Sequence, residues 1–339
     1  MKFKRALYVV DSHTEGMPTR VVVGGFPRIY GRSMIEKMNY VKNNLDKLIT
    51  SILWEPRGHD DMFVAILTSP SSEEADLGVI FRGPYAYETM CGHGSMGVTV
   101  VAIETGIIET VEPVTKVVLD TPAGLVIAKA DVEDESVKSV SIRNVPCFLY
   151  KEKVSIKVPI IGEVIGDIAF GGNFYFIVDS RVLGIDLDTV EIDYLLKTGN
   201  MIREYAEKQI KVQHPILKEI NWLDAVIITG PPSNPKANAR NIFIRGRHVD
   251  RSPCGTGTSA VIASLYAKGK LKRGDEFITE SILGTMFKGK IVDEIEIGEF
   301  KAIIPEITGR AWITGFNILV VHPDDPLKYG FRLRDKIKY

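Results

Sequence analysis

A chain of 339 residues, 45% hydrophobic and 25% charged, has the profile of a globular protein of about two domains. Its formal net charge of −1 supplies no global field to recruit nucleic acid or an anionic membrane, and no apolar stretch reaches the ~18 residues that span a bilayer. Cys91, Cys147 and Cys254 are too few for a disulfide framework, so a reducing, cytoplasmic setting is expected.

The basic start followed by a short apolar run reads as a first strand rather than a signal peptide, with 6–10 at its centre. A second strand is expected at 19–23. Residues 33–48 read as one helix, capped by Ser33, with Ile35, Met38, Val41 and Leu45 on one face. Strands follow at 62–67, 116–119 and 125–128. Acidic and serine residues at 133–144 mark the expected crossover between halves. The second half repeats the order, with strands at 158–170 and 174–178 and a helix over 189–212. The strand region 312–321 is expected to return to the first half, and the Lys-rich end, 328–338, to be a solvated terminus.

A short motif occurs twice. Met90-Cys91-Gly92-His93-Gly94-Ser95 and Pro253-Cys254-Gly255-Thr256-Gly257-Thr258 both read Cys-Gly-x-Gly-Ser/Thr, and each runs into an apolar, helix-like stretch. Gly83 and Gly246 precede their cysteines by eight residues, and Gly106 and Gly269 follow by fifteen. Farther upstream, 64–70 resembles 226–231 slightly out of register. Such a duplication implies two domains, each presenting one thiol at a helix start, facing each other across a cleft. Helices apolar nearly all round should be buried, each inside its own domain.

A cysteine at a helix start meets free N–H groups and the positive helix end, which stabilise a thiolate and lower its pKa towards neutrality. The same N–H groups hold a carboxylate. Two such ends on one cleft place a sulfur on each face of an α-carbon. One thiolate removes the α-proton and the opposite thiol returns a proton, with the amides stabilising the enediolate-like charge. No cofactor is needed. Cys147 lacks a glycine loop and reads as a small buried hydrophobe.

Rival readings exist. Gly92-x-Gly94-x-x-Gly97 and Gly255-x-Gly257-x-x-Ala260 fit a dinucleotide fingerprint, with Asp120 as the ribose-binding acid. Pro253 argues against it, because the fingerprint leaves a buried parallel strand directly. His13, Glu15, His59, Asp60 and Asp61 are metal-type side chains without metal-ligand spacing; capping turns or lining the pocket wall is the plainer role and no metal is expected. Asp250 either caps the turn to Ser252 or pairs with a substrate ammonium. His93 either tunes Cys91 and contacts substrate or is structural.

Residues 90–95 and 250–258 resemble the two signature loops of the proline racemase family, which includes hydroxyproline 2-epimerases and trans-3-hydroxy-L-proline dehydratases. Segments 56–62, 120–125, 170–174 and 305–310 also resemble the family. The chain departs from it at Gly16-Met17-Pro18, where Gly-Glu-Pro is usual, and at Val64, where Gly often stands. The resemblance implies a diaminopimelate-epimerase-like α/β fold: two pseudo-symmetric domains, each a mixed sheet around a central apolar helix. It implies boundaries of 1–138, completed by 310–339, and 139–309, and a homodimer. It implies Cys91 and Cys254 as acid/base thiols. Gly92, His93, Gly94, Gly255 and Thr256 would hold the carboxylate, Asp250 the amine, and Phe63 and Ile244 the ring. A second cysteine, where dehydratase relatives typically carry Thr, favours racemisation or epimerisation of proline or hydroxyproline. Dehydration on the same scaffold, or amino-acid binding without catalysis, are the alternatives.

Overall fold

The computed structural model describes residues 5–333, so Met1–Lys4 of the expected first strand and Lys336 and Lys338 of the Lys-rich end lie outside the described residues. The elements run β1 (Arg5–Thr14), β2 (Met17–Gly24), α1 (Met34–Asn44), α2 (Asp46–Leu53), β3 (Val64–Thr68), β4 (Leu77–Arg82), β5 (Tyr87–Glu88), α3 (Gly92–Glu104), β6 (Val114–Thr121), β7 (Gly124–Glu133) and β8 (Ser136–Arg143). They continue as β9 (Cys147–Val158), β10 (Gly162–Phe170), β11 (Phe174–Asp179), α4 (Ile192–Gln209), β12 (Leu223–Gly230), β13 (Ala239–Arg245) and β14 (His248–Val249). Then come α5 (Gly255–Ala267), β15 (Glu276–Glu280), β16 (Met286–Ile297), β17 (Phe300–Gly309) and β18 (Ala311–Val321). The fold is mixed α/β and dominated by sheet.

Strand pairing carries the sequence repeat into three dimensions. β2 pairs parallel with β3 across α1 and α2, and β11 pairs parallel with β12 across α4. β4 pairs antiparallel with β3 and β5 and parallel with β6; β13 pairs antiparallel with β12 and β14 and parallel with β15. Side chains repeat as well. Asp120, next to last in β6, accepts from Ser71 N, Ser71 Oγ and Ser72 N, and Glu280, ending β15, accepts from Ser233 N, Ser233 Oγ and Asn234 N. Asp120 therefore ties down the loop after β3, a role that leaves the proposed ribose contact without its acid.

Each cysteine loop enters its helix from a two-residue antiparallel strand, β5 or β14, not from a buried parallel one. The dinucleotide reading lacks its strand. α3 packs against β1, β2, β6, β7, β8 and β18, and α5 against β9, β10, β11, β13, β16 and β17. Apart from Glu104, every residue of α3 is buried, as the all-round apolar pattern requires.

Several boundaries differ from expectation. The helix expected at 33–48 is capped by Ser33, whose Oγ accepts from Glu36 N, but it breaks at Leu45 and restarts as α2. The strand expected at 158–170 is two strands, because Pro159 and the left-handed Ile160 (φ 71°) and Gly162 (φ 97°) turn the chain. The expected crossover at 133–144 is a turn at Asp134 and Glu135 followed by β8, which pairs with β7 on one side and β17 on the other. β18 pairs antiparallel with β1 along its length. No helix among the described residues is long and apolar enough to cross a membrane.

Candidate active site

Cys91 and Cys254 are the N-cap residues of α3 and α5. The two helices meet end to end. A Cβ added at Gly92 would lie 2.7 Å from Gly255 Cα, and one added at Gly255 would lie 2.9 Å from Gly92 Cα. Glycine at the first position of both helices is therefore a packing requirement. Only bare backbone lets the two sets of free N–H groups share one small space. Gly94 and Gly257 bring backbone equally close to their own sulfurs, since an added Cβ would sit 3.0 Å from each.

Both thiols are buried, Cys91 2% and Cys254 5% exposed. Cys91 Sγ lies 3.4 Å from His93 Nδ1. Cys254 Sγ accepts from Gly257 N at 3.3 Å and lies 3.7 Å from Thr256 Oγ1. The Cys254 backbone is left-handed (φ 61°), whereas Cys91 is extended (φ −134°). The helix ends were expected to lower both thiol pKa values. In the folded chain burial does the reverse. It pushes the Cys91 thiol well up, helped by the charges of Glu88 and Asp250 and offset only in part by Gly94 N–H. Burial and then Asp250 do the same to Cys254, against Gly257 N–H and Thr256.

His93 is buried edge-on to Phe63, ring centroids 4.6 Å apart, and its carbonyl accepts from Thr14 Oγ1 at 2.8 Å. Burial, together with the His248 charge, lowers its pKa to about 4 against the pull of Asp250, so it is a neutral imidazole near pH 7. Asp250 caps the turn to Ser252. Oδ1 accepts from Ser252 N and Oγ, both at 2.8 Å, while Oδ2 stands 3.9 Å from His93 Nδ1. Thr256 Oγ1 is 2.7 Å from Tyr175 OH. Cys91, Gly92, His93, Gly94, Cys254, Gly255, Thr256, Asp250 and Phe63 thus lie together.

Ile244 does not reach the thiols. Its side chain packs on Gly199 of α4, where an added Cβ would lie 2.5 Å from Ile244 Cδ1. The ring on the other face of that strand is Phe243, with its centroid 6.0 Å from both Tyr175 and His248. Cys147 lies outside this cluster: its thiol donates to Val145 O at 3.1 Å.

Sequence reading missed the polar ring around the thiols. Asn173, between β10 and β11, accepts from Thr89 N and Oγ1 and donates to Met90 O at 2.7 Å, fixing the approach to Cys91. Asp61 accepts from Arg251 at 2.7 Å and lies 2.9 Å from His248 Nδ1, a clasp between β14 and the loop before β3. Burial would raise the Asp61 pKa, but His248 and Arg251 together hold it at about 2. The other metal-type residues also serve locally. His59 Nδ1 accepts from Asp61 N, His13 stacks on Trp312, and Glu15 accepts from Arg310 N. Among the described residues no His, Cys, Asp and Glu cluster is placed to hold a metal ion.

The family model described as proline racemase matches residues 9–332. The chain is 53% identical over 333 residues to a proline racemase from Acetoanaerobium sticklandii, covering 98% of this chain and 99% of that one. It is 41% identical over 335 residues to a trans-3-hydroxy-L-proline dehydratase from Bacillus cereus, covering 98% and 100%. Its structure matches that of a hydroxyproline epimerase from Agrobacterium vitis with bound trans-4-hydroxy-L-proline, with a TM-score of 0.94 at 33% identity over 99% of this chain and 97% of that one. The chain belongs to the proline racemase family.

Proposed function

We propose that this protein is a cofactor-independent racemase or epimerase that inverts the α-carbon of proline or a hydroxyproline, with Cys91 and Cys254 as its acid/base pair. One observation carries the reading: two cysteine-capped helices abut through Gly92 and Gly255, so one small molecule at that junction meets both sulfurs. The substrate carboxylate sits on the free N–H groups of Gly92 and His93 and of Gly255 and Thr256, with Gly94 bringing backbone close beside them. Its ammonium faces Asp250. One thiolate takes the α-proton, leaving a carbanion whose charge spreads onto the carboxylate and is held by those amides. The opposite thiol gives its proton to the other face, and the two sulfurs exchange roles. Phe63 and Phe243 wall the ring, and Ile244 backs that wall against α4.

The two helix ends belong to two pseudo-symmetric lobes, 1–138 with 310–339 and 139–309, each a mixed sheet around its apolar helix in the diaminopimelate-epimerase manner. Burial of both thiols supports a site that opens for entry and closes for turnover. A homodimer is part of this reading. Tyr8, Phe316 and Ile318, exposed on the same face of paired β1 and β18, are the surface we assign to it.

The test is incubation with L-proline, trans-4-hydroxy-L-proline and trans-3-hydroxy-L-proline in D₂O, following the α-proton by NMR and products by chiral chromatography. Loss of the α-proton with appearance of the inverted isomer is expected, and Cys91→Ser and Cys254→Ser each abolish inversion. Full inversion by either variant would overturn the two-thiol scheme. Consumption of the 3-hydroxy compound alone, without inversion, would make the protein a dehydratase.

A further inference from the structure

Glu88 is 6% exposed, yet no hydrogen bond or ion pair reaches its carboxyl among the described residues. Its oxygens are not fully enclosed, so the carboxyl borders open space that a ligand can enter. The backbone fixes where it points. In the β4–β5 pair Glu88 stands directly opposite Phe81, so the two share a face, and the Phe81 ring packs where an added Gly94 Cβ would be, 2.9 Å away. Glu88 is therefore turned towards the start of α3. A Cβ added at Gly83 would lie 3.0 Å from Glu88 Oε1 and 2.8 Å from Phe63 Cζ, so carboxyl and ring tip converge on one spot. Phe63 in turn lies against His93, and His93 against Cys91.

The Arg245 and Arg82 charges pull the Glu88 pKa down only in part. Arg245 is ion-paired to Asp224, and Arg82 to Asp46 at 3.4 Å. Burial first, and then the Asp224 charge, push the Glu88 carboxyl well above its usual range. A protonated carboxyl both donates and accepts, so it suits a hydroxyl partner. The carboxylate and ammonium of an amino-acid substrate are already taken by the helix ends and Asp250. What remains to meet Glu88 is the substituent on the ring.

We propose that Glu88 is a specificity-determining residue whose carboxyl, beside the tip of Phe63, hydrogen-bonds a hydroxyl on the substrate ring and so favours hydroxyprolines over proline. This rests on the reading of the thiol pair as an inverting site and deepens it. Unsubstituted proline carries no ring hydroxyl and so leaves the Glu88 carboxyl without this partner, which is the situation in which a polar site discriminates strongly.

The experiment measures α-proton exchange in D₂O as kcat/KM for L-proline, trans-4-hydroxy-L-proline and trans-3-hydroxy-L-proline. Wild type, Glu88→Gln and Glu88→Leu are compared. Wild type is expected to prefer one hydroxyproline over proline by about ten- to a hundredfold, the range of one hydrogen bond in a buried site. Glu88→Gln should keep most of that preference, and Glu88→Leu should lose it by raising proline relative to the hydroxy compound. The isomer whose advantage disappears identifies the hydroxyl that is read. A preference for proline in wild type, or an equal loss on all substrates in Glu88→Leu, would overturn the proposal. If Glu88→Leu does not fold, the wild-type ratio and Glu88→Gln still decide it. Exchange of none of the three by wild type would instead remove the parent reading, and this one with it.

Discussion

Gly92→Ala tests whether the two helix ends must touch for the chemistry to proceed. The added methyl would lie 2.7 Å from Gly255 Cα and 3.2 Å from Thr256 N. Carbon atoms rest about 3.5–4.0 Å apart, and both contacts are backbone, so neither can swing aside. α3 and α5 must separate by about 1 Å. A displacement of that size between catalytic groups costs on the order of a hundredfold in rate. Helix propensity acts in the opposite direction, since alanine in place of glycine favours a helix by up to about 1 kcal/mol. The clash arises only when the two halves meet, so it does not oppose folding of either one. Gly92→Ala should therefore melt within a few degrees of wild type while kcat/KM for α-proton exchange falls about a hundredfold. Gly255→Ala, blocked at 2.9 Å by Gly92 Cα, should behave alike. Exchange within threefold of wild type in both variants would refute the requirement for abutting helix ends.

Two further outcomes follow from burial. Asp224 is 0% exposed, is ion-paired to Arg245, and already has an unpartnered Oδ2; Arg245→Met should cost about 3–5 kcal/mol in urea unfolding, with part recovered when Asp224→Asn is added, and no measurable loss would mean the pair is dispensable. His93, held neutral with a pKa lowered to about 4 from 6.5, makes the unfolded state the better proton binder between those values. Stability should be full above pH 6.5 and fall by roughly 3 kcal/mol as pH drops to 4, with His214, also lowered to about 4 by burial, acting in the same direction. His93→Gln should flatten that fall between pH 7 and 4.5, and an unchanged slope would locate the effect elsewhere.

The cysteine loops were legible because their signal is local. A glycine pair, a cysteine and an apolar helix within about a dozen residues specify a capped, buried helix start. The pairings of Thr89 and Met90 with Asn173 join residues 83 and 84 apart, and single polar residues in strands carry no periodic signature of such contacts. Ile244 shows a different limit. Side chains alternate along a strand, so placing the wall of the site one residue along β13 moves it to the opposite face, against α4. The thiol pKa values show a third. A helix N-terminus is visible in the sequence, whereas the burial that outweighs it exists only once the chain has folded around the sulfurs.

That reversal has a use on the two-thiol reading. Inversion needs one thiolate and one thiol at the same moment, because two thiolates leave no donor and two thiols no base. Ionising Cys254 raises the Cys91 pKa through their mutual charge. The second proton is therefore held more tightly than the first. The first proton can leave while the site is open and the sulfur meets water and free amides, and the second is retained as closure excludes water. The substrate ammonium then stabilises the single negative charge without distinguishing which sulfur bears it. A closed site whose surroundings oppose thiolates is thus one that admits a single negative charge and shares it between two faces of the α-carbon.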